Sequence, residues 1–210
     1  MAHGALYNVA PVIDLLPKDL HNKKILDIGF GYGQVMHTIM SFSYGKQYHF
    51  TGEPYIIGID KNPDNVEFAK KWMPFYRDVY LYDAVEVPYP ANITKDVKII
   101  ICTEVVEHTL DKNKTLKMIE YLRDLAPLVI FTCPNGNALS PKVNDYHTHN
   151  TIWYEKDFKK LGFKTKLVSR LDFEGEEQRL ITYLIKFVNI FRPYNKTIIN
   201  TIVAWKDDEQ

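Results

Sequence analysis

Neither sign of charge prevails in this chain: 26 Lys and Arg residues match 26 Asp and Glu residues, and the formal net charge is zero. Without a global basic field, nothing in the composition supports nucleic acid or an anionic membrane as a partner. Long apolar runs are also missing. The longest, such as residues 97–102, fall far short of a bilayer span. The amino terminus lacks a basic segment followed by an apolar stretch, so no secretory signal is expected and a cytoplasmic protein fits best. Cysteine is scarce. Cys102 and Cys133 are the two present, each in or at the end of an apolar strand-like run, and both are expected to be buried thiols. Internal repeats, low-complexity blocks and interdomain linkers are absent. A chain of 210 residues suits one domain with a proper core, so residues 1–210 are read as a single domain.

What is there centres on residues 24–34, Lys-Ile-Leu-Asp-Ile-Gly-Phe-Gly-Tyr-Gly-Gln. Ile25, Leu26 and Ile28 form a short apolar run with a β-branched bias, which reads as a buried strand. Gly29, Gly31 and Gly33 follow at alternate positions. Val35, Met36, Ile39 and Met40 then recur at helical spacing, so a strand turns sharply into a helix. Glycines at such a turn adopt positive φ and let a ligand lie directly on the backbone. A strand, a glycine turn and a helix make the usual nucleotide-cofactor cradle of a parallel α/β sheet. The dinucleotide fingerprint requires Gly-x-Gly-x-x-Gly, and position 34 is Gln. A phosphate loop requires Gly-Lys-Ser/Thr, and the turn holds no Lys, Ser or Thr. The turn is therefore suited to a nucleoside ligand without phosphates. Asp27-x-Gly29-x-Gly31-x-Gly33 resembles the first motif of class I S-adenosylmethionine-dependent methyltransferases.

Further elements follow in alternation. Periodicity predicts a leading helix over residues 4–16, strands over 55–60, 78–82, 97–102 and 128–132, and helices from Asn62-Pro63 and over 111–125. A short helix over 155–161 ends at Gly162. Residues 163–171 and 180–190 read as an antiparallel hairpin closing the sheet, and 196–205 as helix or strand. The alternation implies a parallel sheet with helices on both faces, whose ligands bind outside the carboxyl ends of the strands.

Those strand ends carry acids. Asp60 is placed to accept from both vicinal hydroxyls of an adenosine ribose. Asp83-Ala84 suits adenine, with Asp83 accepting from the amino group and the next backbone N–H meeting a ring nitrogen. Asp27, an acid in a buried strand, is expected to organise the loop or receive the ligand's amino group. Residues 103–108 read Thr-Glu-Val-Val-Glu-His. With residues 25–33, Gly58-Ile-Asp60 and Thr132-Cys-Pro-Asn-Gly136, they resemble the group that includes ubiquinone-biosynthesis-type O-methyltransferases, over about residues 20–165. His147-Thr-His149 before Trp153 and Phe158-x-x-x-Gly162-Phe163 is similar to the substrate-side segment of many of these enzymes.

The resemblance implies a Rossmann-like class I methyltransferase fold: a mostly parallel central sheet with a final antiparallel strand and helices on both faces. It implies S-adenosylmethionine as cofactor and S-adenosylhomocysteine as product. The cofactor would lie against Asp27, Gly29, Phe30, Gly31, Gly33, Asp60, Lys61, Asp83, Ala84, Glu104 and Val105, with Glu104 and Val105 beside its reactive end. Phe30 stands where many relatives have Cys or another small residue. His149 and Glu104 are the candidate catalytic residues, for a small-molecule hydroxyl or amine acceptor. Glu104, Glu107 and His108 at i, i+3 and i+4 would share one helix face, and with His149 could complete a divalent-metal site. That pattern also resembles metal-dependent small-RNA 3′-terminal 2′-O-methyltransferases. Glu-x-x-Glu-His is widespread in relatives without a metal, so the metal-free reading is carried forward. Rival readings are a nicotinamide-dependent oxidoreductase and a non-catalytic cofactor-binding protein. The loop 43–54, the segment 136–153 and residues 194–205 are expected to line or cover the acceptor pocket, with Tyr44, Tyr48, Phe50, Tyr146 and Trp153 as its aromatics. An apolar C-terminal strand is also a candidate for pairing between subunits.

Overall fold

The computed structural model describes residues 5–44, 51–136, 148–169 and 200–208. Seven strands, β1 (Lys24–Ile28), β2 (Tyr55–Asp60), β3 (Tyr76–Leu81), β4 (Val97–Thr103), β5 (Leu128–Pro134), β6 (Lys164–Ser169) and β7 (Asn200–Asp207), form one sheet. Their order is β3-β2-β1-β4-β5-β7-β6. The first five run parallel, and β7 is antiparallel to both β5 and β6. The helices are α1 (Ala5–Leu15), α2 (Gln34–Tyr44), α3 (Pro63–Trp72), α4 (Ala91–Thr94), α5 (Lys112–Leu125) and α6 (Glu155–Lys160). A 3₁₀ turn spans Val106–His108.

Side chains alternate across the sheet, so neighbouring residues of one strand enter different cores. Ile25, Ile56, Ile99, Ile101 and Ile130 pack with Val12, Met36, Ile39, Val66 and Ala69 of α1, α2 and α3. Leu26, Ile28, Ile100, Cys102 and Phe131 pack on the other face, with Met118, Ile119 and Leu122 of α5 and with Trp153 and Phe158. Because both faces are covered, β1, β4 and β5 are apolar almost throughout. Local chemistry starts the helices. Asn62 caps α3 by accepting from Asp64 N, with Pro63 at the first helical position. Asp111 caps α5 by accepting from Asn113 N and Lys114 N.

Both cysteines are buried free thiols, and burial pushes each thiol well above its ordinary pKa. Neither is expected to react with a maleimide in native buffer, and both should react after denaturation. Labelling followed by mass spectrometry checks this.

The end of the sheet departs from expectation. Residues 180–190, expected as one arm of a hairpin, lie outside the described residues. The antiparallel partner of β5 and β6 is instead Asn200–Asp207, which overlaps residues 196–205, read as helix or strand, and runs two residues beyond them. Two corrections follow. Of residues 194–205, expected to line or cover the pocket, 194–199 lie outside the described residues, and Thr201, Ile202, Val203 and Ala204 are strand residues buried in the sheet rather than a cover. Nor is this strand available to a second subunit, because both of its edges are paired within the chain.

Candidate active site

The site lies where β1, β2, β4 and β5 end. Gly29, Gly31 and Gly33 hold φ of 64°, 54° and 64°, the left-handed region open to glycine at little cost. Gly29 N donates to Ile59 O (2.8 Å), and Gly33 N donates to Phe30 O (2.7 Å), which folds the turn onto β2 before α2 begins. A Cβ on Gly29 would fall 2.4 Å from Val105 Cγ2, so the chain after β4 presses directly on the turn. Above Gly31 a Cβ would meet nothing within 4 Å. That glycine is the open floor of the cradle.

Asp60, at the end of β2 and 6% exposed, closes the cradle. Its Oδ2 accepts from Gly31 N (2.9 Å) and Asn65 Nδ2 (3.2 Å), and its Oδ1 accepts from Asn62 N (2.8 Å). One carboxylate thus ties the glycine turn to the start of α3. A carboxylate offers about four acceptor positions, so one is left beside the open floor.

Asp27 is buried, and its Oδ2 accepts from Tyr76 Oη (2.6 Å) on β3. Burial raises its pKa from 3.8 to about 7, the Tyr76 bond opposes the rise, and the charge of Asp60 adds to it. Sequence reasoning did not find Tyr76. The available signal was Gly58, a glycine inside an apolar strand. A Cβ there would sit 2.8 Å from Phe30 Cδ1 and 3.1 Å from Tyr76 Cε1. Phe30 stacks on Tyr76 with ring centroids 5.2 Å apart and is 7% exposed, so its ring is core beneath the turn and only its backbone faces the cradle.

The sign of the pH dependence follows from Asp27. The native protein keeps its proton up to about pH 7, whereas the unfolded chain gives it up near the ordinary value of 3.8. The native state therefore binds more protons between these limits, and stability falls as pH rises through them, levelling above. Glu104, pushed from 4.5 to about 7 by burial, acts in the same sense. Tyr76→Phe removes the bond that restrains Asp27, so the decline is expected to continue to higher pH than in the parent. Melting temperature against pH for both proteins tests this.

Asp83 is exposed and its Oδ1 accepts from Val85 N (3.2 Å), while the Ala84 carbonyl accepts from Tyr89 Oη (2.6 Å). Lys61 is half-buried at the junction of β2 and α3. Beyond β4, Glu104 takes φ of 55°, a left-handed conformation uncommon outside glycine. Its backbone N donates to Thr132 O (2.8 Å), and Thr132 Oγ1 donates to its Oε1 (3.1 Å). Glu104, Glu107 and His108 do not share a helix face, contrary to the spacing argument: the helix is a single 3₁₀ turn that begins after Glu104.

The segment with His149 is pinned to that turn. Asn150 N (2.7 Å) and Thr151 N (3.1 Å) donate to Glu107 O, and Asn150 Nδ2 donates to His108 O (3.1 Å). The rings of His108 and His149 lie 4.8 Å apart, and His108 Nδ1 donates to Thr148 O (3.1 Å). Trp153 anchors the segment from below. Its Nε1 donates to Val106 O (3.1 Å) and Thr151 Oγ1 (2.9 Å). At 1% exposure it is core, not a pocket wall. The other aromatics expected around the acceptor, Tyr44, Tyr48, Phe50 and Tyr146, have side chains outside the described residues. A separate cavity of about 380 Å³, bordered by His21, Glu53, Tyr55 and Arg77, opens at the amino ends of β2 and β3, away from the turn.

Strand order 3-2-1-4-5-7-6, the glycine turn after β1 and the acid ending β2 together define the class I S-adenosylmethionine-dependent methyltransferase fold. Three solved structures illustrate the likeness. The magnesium protoporphyrin IX methyltransferase of Synechocystis, with bound S-adenosylmethionine, is 14% identical at a TM-score of 0.55, over 95% of this chain and 78% of that one. A methyltransferase from Archaeoglobus fulgidus is 19% identical at 0.58, over 94% and 92%. A complex between a methyltransferase activator and a putative methyltransferase from Haloferax volcanii gives 14% and 0.60, over 97% and 90%. No protein-family model matches the sequence, and no curated protein matches it.

Proposed function

We propose that this chain binds S-adenosylmethionine on the turn Gly29–Gly33 and directs its methyl group to a hydroxyl or amine of a small-molecule acceptor, leaving S-adenosylhomocysteine. The carrying observation is the bond from Gly31 N to Asp60, which places a buried carboxylate with acceptor capacity beside an open stretch of backbone. The donor set fits this cofactor. Asp60 would hold the ribose hydroxyls, Asp83 and the backbone at Ala84 the adenine, and Asp27 the α-ammonium group, while Gly29, Gly31 and Gly33 let it lie close and Lys61 flanks it. When bound, the cofactor supplies a methyl group already activated on a sulfonium.

The protein's work is then orientation and exclusion of water. Val105, pressed against Gly29, borders the reactive end. Glu104 stands next to it with a pKa of about 7, suited to taking a proton from an acceptor hydroxyl or ammonium near neutral pH. His149 orients the acceptor from the neighbouring segment. Structural neighbours include methyltransferases bound to S-adenosylmethionine and S-adenosylhomocysteine, which supports this reading.

Calorimetric titration with S-adenosylhomocysteine, and with NAD as control, tests it. Binding on the order of micromolar, about 8 kcal/mol, with NAD inert is expected. A folded protein that binds neither, or binds NAD more tightly, removes the proposal. A folded protein that binds the cofactor but methylates no hydroxyl or amine across a broad panel would instead be a non-catalytic binder.

A further inference from the structure

We infer that the outer edge of β3 is a dimer interface, on which a second copy of this chain pairs antiparallel with Tyr80 opposite Tyr80. β3 is the first strand in the sheet order, and among the described residues it pairs with β2 alone. Tyr82 N donates to Asp60 O (2.9 Å), so the backbone of Tyr80 and Tyr82 turns toward β2. Alternation along the strand then points the N–H and C=O of Val79 and Leu81 outward. An edge of this kind accepts another strand. Leu81 is 58% exposed, a large apolar side chain on the outermost strand.

The strand is complementary to itself. Residues 77–83 read Arg-Asp-Val-Tyr-Leu-Tyr-Asp. A two-fold axis through the Tyr80 pair sets Val79 opposite Leu81, and Arg77 opposite Asp83 just beyond the strand. Each of these pairs occurs twice, as an isologous interface requires. Val79 and Leu81 exchange their outward backbone bonds with Leu81 and Val79 of the second copy. The Tyr80 pair is a non-hydrogen-bonded one, which brings the two Cβ atoms to about 4.5–5.5 Å. Asp78 falls opposite Tyr82, and each has a partner in its own chain: Asp78 Oδ2 accepts from Tyr55 Oη (2.7 Å), and Tyr82 Oη donates to Glu86 O (2.6 Å). Asp83 Oδ1 accepts from Val85 N (3.2 Å), which leaves its carboxylate further acceptor positions for a guanidinium.

Neighbouring registers lose this match. An axis through Val79 puts Arg77 opposite Leu81, and one through Leu81 puts it opposite Val85. An axis through Asp78 opposes two carboxylates, which is destabilising. The helix beside the edge leaves room for the second copy. Phe68 of α3 meets Tyr32 of the glycine turn, with ring centroids 5.4 Å apart, on the side of β1. The opposite flank of α3, toward the free edge, carries Glu67 and Lys70, both exposed and opposite in sign. The pairing is carried by the strand edge and does not rest on the methyl-transfer reading.

Sedimentation equilibrium of the full chain, over about 1 to 200 µM, is expected to show a dimer with a dissociation constant of micromolar order, as suits a small edge contact. Leu81→Pro is the first variant. The Leu81 N–H faces away from β2, so proline removes no bond within the sheet, and an edge strand tolerates it there. The dissociation constant should rise at least about 30-fold, since main-chain bonds carry strand addition, while melting curves show a folded monomer. Charge exchange tests the register. Arg77→Asp and Asp83→Arg each set like charges opposite one another, and each alone should weaken self-association by about tenfold or more. Mixed in equal amounts, the two variants regain both ion pairs, so the mixture should associate as the parent does. A parent that stays monomeric throughout, a dimer unchanged in folded Leu81→Pro, or a mixture that associates no better than its two components overturns the inference. The first of these outcomes would leave the edge to a strand of another protein.

Discussion

Asp60→Ala is expected to weaken S-adenosylhomocysteine binding by at least about 100-fold, or ~3 kcal/mol. The carboxylate acts twice. Toward the cofactor it would supply charge-assisted bonds to the ribose, each worth about 1.5–3 kcal/mol. Toward the protein it holds Gly31 N, Asn62 N and Asn65 Nδ2, so its loss also releases the turn from the start of α3. The second effect separates this variant from a simple contact deletion: the turn must be reordered each time ligand binds. Asp60→Asn retains an acceptor but brings an amide donor toward Gly31 N–H, and an intermediate loss is expected. Calorimetry of both variants, with melting curves to establish folding, reads the outcome. Affinity within threefold of the parent in Asp60→Ala would mean that the ligand does not touch this acid.

Trp153→Ala should have the largest effect on stability, about 3–5 kcal/mol. Its ring packs 5.6 Å from Phe158, which lies 5.8 Å from Phe131 of β5, so truncation opens the core beneath the site. Val106 O keeps no indole donor, and Lys112 loses the ring beneath its ammonium. Trp153→Phe restores much of the volume without the N–H. It should cost about 0.5–1.5 kcal/mol, the range for one lost hydrogen bond, because Val106 O still accepts from Thr109 Oγ1 (2.7 Å) and Thr151 Oγ1 (2.8 Å). Urea denaturation of the three proteins gives the comparison.

Legibility from sequence tracked how local the determining interaction was. The turn after β1 announces itself in eleven consecutive residues, and β2 with the Asn62-Pro63 start of α3 in nine, because strand period, cap and helix period adjoin. Asp60 was placed at the glycine turn by the same local logic together with the rule for ligand position in parallel sheets. The elements that escaped depend on distant partners. β7 is a strand because β5 and β6 lie on either side of it, and its own pattern is ambiguous. Tyr76 meets Asp27 across 49 residues of chain. The 3₁₀ turn is three residues long, too short to show any period, and so the expectation that Glu104 joined a longer helix had nothing to contradict it. Trp153 reads as a loop aromatic from its neighbours, and its burial comes from the fit against α5, α6 and β5.

The sheet order carries a consequence for synthesis. Of the seven strands β7 comes last in the chain, yet it sits inside the sheet, between β5 and β6. A ribosome releasing this chain thus delivers β5, whose seven residues are all buried in the finished protein, well before the strand that covers its open edge. Through that interval β5 offers unpaired backbone to any passing strand, and β6 lacks the strand that, among the described residues, joins it to the sheet. The parallel half has its partners as it emerges; the other half is complete only once Asn200–Asp207 has taken its place between β5 and β6.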